Sequence, residues 1–233
     1  MKTPQLPNPV NRVTPGELPP HVTIACVWNR SSIYTVEYVD FLHEMVRKHC
    51  PIPFSFVCIT PHHDLPDGVI RMEPPHQQEG WWNKVGLFSP DLFGPSARVL
   101  YFDLDVVIIN SLETILRSRD PFCMIENFGP NKGHAAHNSS VMLWTPTEKT
   151  HRIFTSFSAD VPKQLHGDQC WIWRVMLDDI RDFEADTCVS FKYEKHPQWS
   201  HESPETSVVV FHGQPKPHNC GNAKLMHAWS VHE

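Results

Sequence analysis

The 233-residue sequence has no long apolar run and no cysteine pair at metal-binding spacing. No stretch approaches the roughly 18 consecutive apolar residues of a membrane-spanning helix, so we expect no transmembrane segment. The first twenty residues hold six prolines and no apolar core of a secretory signal, which predicts an extended arm on a cytoplasmic protein. The seven cysteines are odd in number and none has CxxC spacing, which predicts reduced, packed thiols.

Positive charge and glycine-rich loops are also scarce. The formal net charge is −6, whereas a sequence-independent nucleic-acid binder is usually basic, so we expect no nucleic-acid partner. The pair His43-Glu44 begins like a zincin helix, but Arg47 stands where the second histidine would be. The loop after the first predicted strand, residues 28–31, contains no glycine, which weakens a nucleotidyltransferase with a glycine-rich phosphate loop.

Apolar periodicity predicts strands that alternate with helices along the chain. Strands are predicted at 22–27, 54–60, 69–71, 98–102, 122–125, 141–144 and 207–211, and helices at 33–50, 81–88, 148–157 and 168–177, with a short one from 111. This order is typical of an α/β fold with helices on both faces of one sheet. We place a single Rossmann-like domain at 21–218, between the proline-rich arm 1–20 and a polar C-terminal tail, 219–233.

Side chains suited to a divalent cation follow two of these strands. Asp103 and Asp105 come directly after the strand 98–102, and His212 directly after the strand 207–211. Ligands of open α/β sheets bind beyond the carboxyl ends of the strands, so we expect these residues at one site. Two carboxylates suit Mg²⁺ or Mn²⁺, and an added imidazole favours Mn²⁺. The alternative is a strand-end turn whose carboxylates are solvated.

Two lysines stand close to these candidates in the sequence. In the segment after His212, Gly213 permits close backbone approach and Lys216 lies between two prolines, as a point charge suited to phosphate. Lys84 lies on the short predicted helix 81–88, from which it could reach a diphosphate or a sugar hydroxyl. The alternatives are a proline-rich exit loop and an aromatic helix face, each with an exposed lysine.

Five segments in this order together resemble the GT-A glycosyltransferases related to family 8, a retaining group. They are Gly80-Trp81-Trp82-Asn83-Lys84, Val99-Leu100-Tyr101-Phe102-Asp103-Leu104-Asp105, His137-Asn138-Ser139-Ser140-Val141-Met142, Gly167-Asp168-Gln169 and His212-Gly213-Gln214-Pro215-Lys216-Pro217. The resemblance runs from about 22 to 217 and is closer still to small bacterial and phage-type glycosyltransferase-like proteins. It implies a GT-A domain with a mixed, mostly parallel sheet flanked by helices. It also implies sugar transfer from a nucleoside-diphosphate sugar, by resemblance a UDP-sugar, to an unidentified glycan, lipid or protein acceptor.

The resemblance implies a metal and diphosphate site. Asp103, Asp105 and His212 match the metal ligands, with Asp103 also near the donor ribose or sugar. Gly213 and Lys216 match the loop that holds the diphosphate. The implied cofactor is Mn²⁺, or Mg²⁺, bound with the donor.

The resemblance also implies residues around the donor sugar. Lys84 matches a basic residue near the donor phosphate and sugar, and Asn138 and Ser139 match a segment that lines the sugar. Asp168 and Gln169 match the pair at the reacting carbon. No carboxylate is obviously placed as a nucleophile, which favours a front-face reaction in which the departing phosphate helps to deprotonate the acceptor.

The nucleotide base is matched less closely. Trp28, Asn29 and Tyr34 lie where the family places it. Two rival functions stay open at this point: a nucleotidyltransferase or other phosphoryl-transfer enzyme that uses the same aspartates, and a non-catalytic sugar- or nucleotide-binding module.

Overall fold

The computed structural model describes residues 15–29, 33–128, 135–193 and 203–230. Within these ranges the strands are β1 Val22–Val27, β2 Phe54–Ile59, β3 Val69–Met72, β4 Val99–Phe102, β5 Val106–Ile108, β6 Phe122–Glu126, β7 His137–Trp144, β8 Arg181–Asp182, β9 Cys188–Ser190 and β10 Val208–Val210. The α-helices are α1 Val36–His49, α2 Glu113–Leu116, α3 Glu148–Thr155, α4 Val161–Gln164, α5 Asp168–Met176 and α6 Ala223–Ser230. Short 3₁₀ helices span Gly80–Phe88, Leu177–Asp179 and Pro217–Asn219.

Seven strands form the main sheet in the order β3-β2-β1-β4-β7-β6-β8. The strands β3, β2, β1 and β4 run parallel, β7 runs antiparallel to β4 and β6, and β8 is parallel to β6. Every residue of β4 is buried, as expected for a central strand covered on both faces. The predicted mixed, mostly parallel sheet is therefore confirmed.

A second sheet of three strands, β5-β10-β9, adjoins the first at the end of β4. The chain passes from β4 into β5 through a turn at 104–105. In the antiparallel β5–β10 pair, Val210 lies opposite Val106. This register brings the residues just after β10 beside those just before β5, which places His212 near Asp105.

Helices cover both faces of the main sheet. On one face α1 packs through Val39, Leu42 and Val46, the spacing that predicted its amphipathic face. On the other face lie the 3₁₀ helix Gly80–Phe88, α3 and α5. The helix predicted at 33–50 begins only at Val36, because Thr35 at its N-terminus is extended, with φ of −103° and ψ of 176°.

The two predicted flanking segments both contact the domain where they are described. Residues 1–14 of the predicted arm lie outside the described ranges, whereas Pro15 forms a β-bridge with Ser118. In the predicted tail, α6 packs on α1 through Trp229, whose ring lies 4.5 Å from Phe41 and 4.8 Å from Tyr38, centroid to centroid. The division at 20 and 218 itself stays a prediction.

The cysteines and the hydrophobicity of the helices bear on disulfides and on membrane spans. All seven cysteines carry free thiols, and five of them are buried. Among the described helices, none combines the length and the hydrophobicity needed to cross a bilayer.

Candidate functional site

A cavity of about 750 Å³ lies at the carboxyl ends of β1 and β4. It forms where the two sheets separate, the position at which open α/β folds bind ligands. Its walls combine carboxylates, lysines, hydroxyls and apolar groups, from Val27, Asn29, Ile33, Tyr34, Gly80, Trp81, Lys84, Tyr101, Asp103, Leu104, Asp105, Asn138, Ser139, Ser140, His166, Gly167, Asp168, Gln169, Cys170, Phe211, His212, Gly213 and Lys216.

The first polar cluster centres on the buried ammonium group of Lys84. Its Nζ lies 2.8 Å from Oδ1 of Asp103 and 3.6 Å from Oδ2 of Asp168, and it donates to Oγ of Ser139 at 3.3 Å. The Ser139 hydroxyl in turn donates to Oδ2 of Asp168 at 2.6 Å. The Tyr101 hydroxyl donates to Oδ1 of Asp103 at 2.6 Å. The ammonium group of Lys84 is thus shared between the carboxylates of Asp103 and Asp168.

Four separate elements bring this cluster together. Lys84 lies on the 3₁₀ helix Gly80–Phe88, Asp103 directly follows β4, and Ser139 lies in β7. Asp168 begins α5, where the helix dipole favours negative charge. The backbone N–H of Asp103 donates to the carbonyl of Ser140 at 2.9 Å, which ties the end of β4 to β7.

The second polar cluster joins Asp105, Tyr34 and Lys216. Nζ of Lys216 donates to Oδ2 of Asp105 at 2.6 Å and to the Tyr34 hydroxyl oxygen at 2.8 Å. The Tyr34 hydroxyl donates to the same Asp105 oxygen at 2.9 Å. Both charged side chains are buried. The loop after β10 is therefore held against the Asp-x-Asp turn by a buried ion pair.

Burial and charge act on these groups in opposite directions. Burial disfavours the charged form of Lys84, but the carboxylates of Asp103 and Asp168 outweigh it, so the pKa of Lys84 is raised. Burial raises the pKa of Asp168 despite the opposing charge of Lys84. Burial also raises the pKa of Asp105, and the neighbouring charge of Asp103 adds to the rise.

His212 lies between two aromatic rings at the edge of this cavity. It stacks on Phe128, at 6.0 Å between ring centroids, and on Tyr193, at 5.3 Å. Its Nε2 lies 2.7 Å from the hydroxyl of Ser190. Burial, and then the positive charge of Lys192, lower the pKa of His212. The imidazole is thereby kept neutral, the form that binds a metal ion.

Gly213 is constrained in two ways. Its φ of +73° lies in the left-handed region that favours glycine. A Cβ at this position would also lie 3.1 Å from Nζ of Lys192. A side chain here would therefore strain the backbone and crowd a lysine beside the loop that carries Lys216.

The fit of a divalent cation can be tested on the donor atoms. Among the described residues, no three His, Cys, Asp or Glu side chains lie together as a ready metal site. Side-chain hydrogen bonds in that part of the chain reach Oδ1 of Asp103 and Oδ2 of Asp105, which leaves the other oxygen of each carboxylate for a cation. Two such oxygens and the neutral imidazole of His212 fit Mn²⁺ or Mg²⁺ in donor type.

Solved structures provide the comparison with known proteins. The glycosyltransferase GlyE of Streptococcus pneumoniae TIGR4 superposes with a TM-score of 0.68 at 12% identity, over 91% of this chain and 61% of the GlyE chain. The galactosyltransferase LgtC, in complex with donor and acceptor sugar analogues, superposes with a TM-score of 0.65 at 15% identity, over 89% of this chain and 95% of its own. The protein has a GT-A fold. No protein-family model and no curated protein sequence matches the chain.

Within this GT-A fold, the structure brings almost all the predicted site residues to one cavity. The predicted residues that line it are Asn29, Tyr34, Lys84, Asp103, Asp105, Asn138, Ser139, Asp168, Gln169, His212, Gly213 and Lys216. Trp28 does not line it: its ring is buried, stacks on His62 and donates from Nε1 to the carbonyl of Tyr34 at 2.9 Å. The ligand roles of all these residues stay predictions.

Several residues of the site were not predicted from the sequence. Tyr101 was assigned only to a strand, yet its hydroxyl reaches Asp103. Ser190 ends β9 and Lys192 follows it, and the three residues of this strand are too few for a detectable pattern. Only the alternation of β4, which aims Tyr101 and Asp103 to the same side, could have signalled one of them.

Proposed function

We propose that the protein is a glycosyltransferase that moves a sugar from a nucleoside-diphosphate sugar, by resemblance a UDP-sugar, to a hydroxyl of an acceptor. The observation that carries this proposal is the pairing of the Asp-x-Asp carboxylates with Lys84 and Lys216 in one large cavity. The GT-A fold supports it, since both compared structures are of glycosyltransferases. The low identity means that the activity, unlike the fold, rests on the site.

The charge balance of the cavity supports metal dependence. Three carboxylates, of Asp103, Asp105 and Asp168, face two ammonium groups, of Lys84 and Lys216. A diphosphate entering such a cavity meets no excess of positive charge. Asp103, Asp105 and His212 would hold a divalent cation, which when bound would neutralise charge on the diphosphate oxygens.

The remaining residues suit the parts of the donor. Lys216, on the loop that Gly213 begins, would pair with a phosphate oxygen of the donor, because its ammonium group is a point charge suited to phosphate. Lys84 would stabilise the charge that develops on the leaving diphosphate. Asn138 and Ser139 line the cavity where the sugar would lie, and Tyr34 lies where the base and ribose would enter.

The reaction would proceed on one face of the sugar. The bond from the anomeric carbon to the diphosphate oxygen breaks, the acceptor oxygen bonds to the same carbon, and the acceptor proton passes to the departing phosphate. Asp168 already shares Oδ2 with Ser139 and Lys84, so it suits positioning better than nucleophilic attack. Gln169 would position the sugar. A covalent glycosyl adduct on Asp168, detected by mass spectrometry, would contradict this order of events.

The proposal is tested by isothermal titration of UDP into the protein, with Mn²⁺ and with EDTA. We expect binding only with the metal, and loss of detectable binding in Asp105→Ala. The matched control is Asp160→Ala, which removes an exposed carboxylate that does not line the cavity and should bind as the wild type does.

The other outcomes are informative too. Binding of GDP in place of UDP would keep the proposed transfer and change the donor. Metal-independent binding that survives Asp105→Ala would contradict the assigned metal residues. Failure of every nucleoside diphosphate to bind would contradict the proposed function and favour a module that binds some other ligand.

A further inference from the structure

Trp81 is a large apolar side chain that remains exposed inside a binding cavity. Its residue is 57% exposed although it lines the cavity wall, whereas the adjacent Trp82 is buried against Phe157. Exposed aromatic rings at the rim of a polar cavity are characteristic of ligand sites, because they offer apolar area at a small cost in side-chain entropy. Nothing in the proposed donor site uses this ring.

The orientation of the indole is fixed by its neighbour Gly167. A Cβ on Gly167 would lie 3.3 Å from Nε1 and 3.6 Å from Cδ1 of Trp81. The backbone of Gly167 is extended, at a φ of −178°, which any residue can adopt. The missing side chain therefore leaves room for the five-membered ring of the indole, which lies against the backbone of Gly167 while 57% of the Trp81 residue stays exposed.

The position of Trp81 in its helix places it next to the donor site. It lies three residues before Lys84 in the 3₁₀ helix Gly80–Phe88, and side chains three residues apart are eclipsed in such a helix. Lys84 is buried with the carboxylates, while Trp81 lies toward solvent. Gly167, which lies against the Trp81 ring, directly precedes Asp168 and Gln169 in the chain. We assign these two residues to the reacting carbon.

We propose that Trp81 is the platform on which a pyranose ring of the acceptor stacks, so that the acceptor is a saccharide. This inference rests on the proposed function, because it places the acceptor beside a donor sugar. The apolar C–H face of a pyranose covers one indole face, while its hydroxyls reach the polar wall that includes Gln169. The acceptor hydroxyl would then lie on the Gln169 side of the cavity.

The surroundings of Trp81 favour a sugar over a lipid chain. Among the large apolar side chains that the described structure leaves exposed, only Ile33 and Trp81 line the cavity. A lipid chain would need a continuous apolar groove, whereas a single ring with polar neighbours matches one sugar unit. Binding of an alkyl chain through this ring would therefore contradict the proposal.

The test uses saturation-transfer NMR on the whole chain, with the methyl β-pyranosides of galactose, glucose and N-acetylglucosamine as probes. Each is measured with and without UDP and Mn²⁺. We expect at least one glycoside to receive saturation mainly on one ring face. Its affinity should fall about tenfold in Trp81→Ala and less in Trp81→Phe, which keeps an aromatic face.

Controls separate this inference from the proposed function. Leu177→Ala removes another exposed apolar side chain and should leave glycoside binding unchanged. Thermal unfolding and UDP affinity should be the same in Trp81→Ala as in the wild type. If UDP binds but no glycoside does, or if Trp81→Ala binds the glycoside equally well, the platform is overturned and the donor site stands.

Two further outcomes are decisive. If glycosides bind through Trp81 but no nucleoside diphosphate binds, the sugar site stands and the proposed transfer fails. If hexanol and octyl β-glucoside bind through their alkyl chains in a manner that depends on Trp81, while the methyl glycosides do not, the acceptor is a lipid and the inference is overturned.

Discussion

Lys84 and Lys216 are the residues on which the electrostatics of the cavity depend. Each is buried, and each contacts one carboxylate of the Asp-x-Asp turn at hydrogen-bond distance. Buried ion pairs of this kind rarely add net stability over an apolar replacement, but removal of one partner leaves an uncompensated charge. Their presence in the cavity wall is therefore better explained by ligand binding than by folding.

We predict that Lys84→Met lowers the free energy of unfolding by about 3 kcal/mol, since it leaves the carboxylates of Asp103 and Asp168 unpaired in a buried site. Urea denaturation at neutral pH measures the change. The matched control is Lys163→Met, because both side chains of the Lys163–Asp160 pair are exposed. Loss of this pair should change the free energy of unfolding by about 0.5 kcal/mol or less. Equal effects in the two variants would contradict the buried network.

At the scale of elements, α6 is a helix that the polar composition of its segment did not predict. The segment from 219 was predicted as a polar tail because the chain becomes polar after Gly213, with Pro215, Pro217 and Gly221. The structure instead packs Leu225 and Trp229 into the core beside α1. Two apolar contacts four residues apart are enough to hold a helix of eight residues, but too few to be recognised as amphipathic periodicity.

Trp229→Ala should lower the free energy of unfolding by about 3 kcal/mol, because it removes an aromatic side chain packed on Tyr38 and Phe41. Thermal and urea unfolding measure the loss, with the exposed Leu177→Ala as the control. A variant as stable as the wild type would show that α6 is not part of the cooperative unit.

His76 provides a pH-dependent test of the packing between the 3₁₀ helix and α3. It stacks on Phe154 at 5.2 Å between centroids, and burial lowers its pKa from 6.5. A lowered pKa means that the fold favours the neutral ring, so its contribution to stability is complete above pH 6.5 and is lost as the pH falls through the folded pKa.

We therefore expect unfolding free energies to fall more between about pH 7.5 and about pH 5.5 in the wild type than in His76→Phe, which cannot be protonated. The comparison variant is His63→Gln, at an exposed loop position, whose pH dependence should match the wild type. Identical slopes in wild type and His76→Phe would contradict the burial of this imidazole.

Most of the helices and strands were predictable because they are long enough to show an apolar pattern, and the strands that were missed are too short. The strand β1 and the buried face of α1 are long enough for apolar periodicity to show, and both lie where the sequence placed them. The strands β8 and β9 have two and three residues, too few for any pattern. They form through pairing with β6 and β10, which is a property of the tertiary fold.

At the scale of the whole molecule, the site is assembled from segments far apart in the chain. Asp103 and Asp105 were predictable because the end of a buried strand is where a carboxylate needs a partner. The partners themselves, Lys84 and Lys216, were singled out, but the sequence could not show that each pairs with a different aspartate. Trp28, which the resemblance assigns to the base, donates from its ring to the carbonyl of Tyr34 and does not line the cavity, so its role stays a prediction.

The net charge of −6 also acts on the whole molecule. A negative surface does not attract a nucleoside diphosphate from solution, so binding depends on the local cavity and its cation. Metal removal by EDTA should consequently abolish donor binding more completely than a moderate increase in salt weakens it. Calorimetric titration of UDP at low and high salt, with and without EDTA, compares the two effects. A larger loss on adding salt would show that long-range charge controls binding.

The most direct test of sugar transfer is turnover of a donor. The protein is incubated with Mn²⁺ and with UDP-galactose, UDP-glucose or UDP-N-acetylglucosamine, and proton NMR follows the release of UDP and free sugar. We predict slow hydrolysis of at least one donor, with the α anomer formed first, and no hydrolysis by Asp105→Ala. Release of sugar from none of these donors or their GDP counterparts, or equal turnover by Asp105→Ala, would contradict a glycosyltransferase site at the Asp-x-Asp turn.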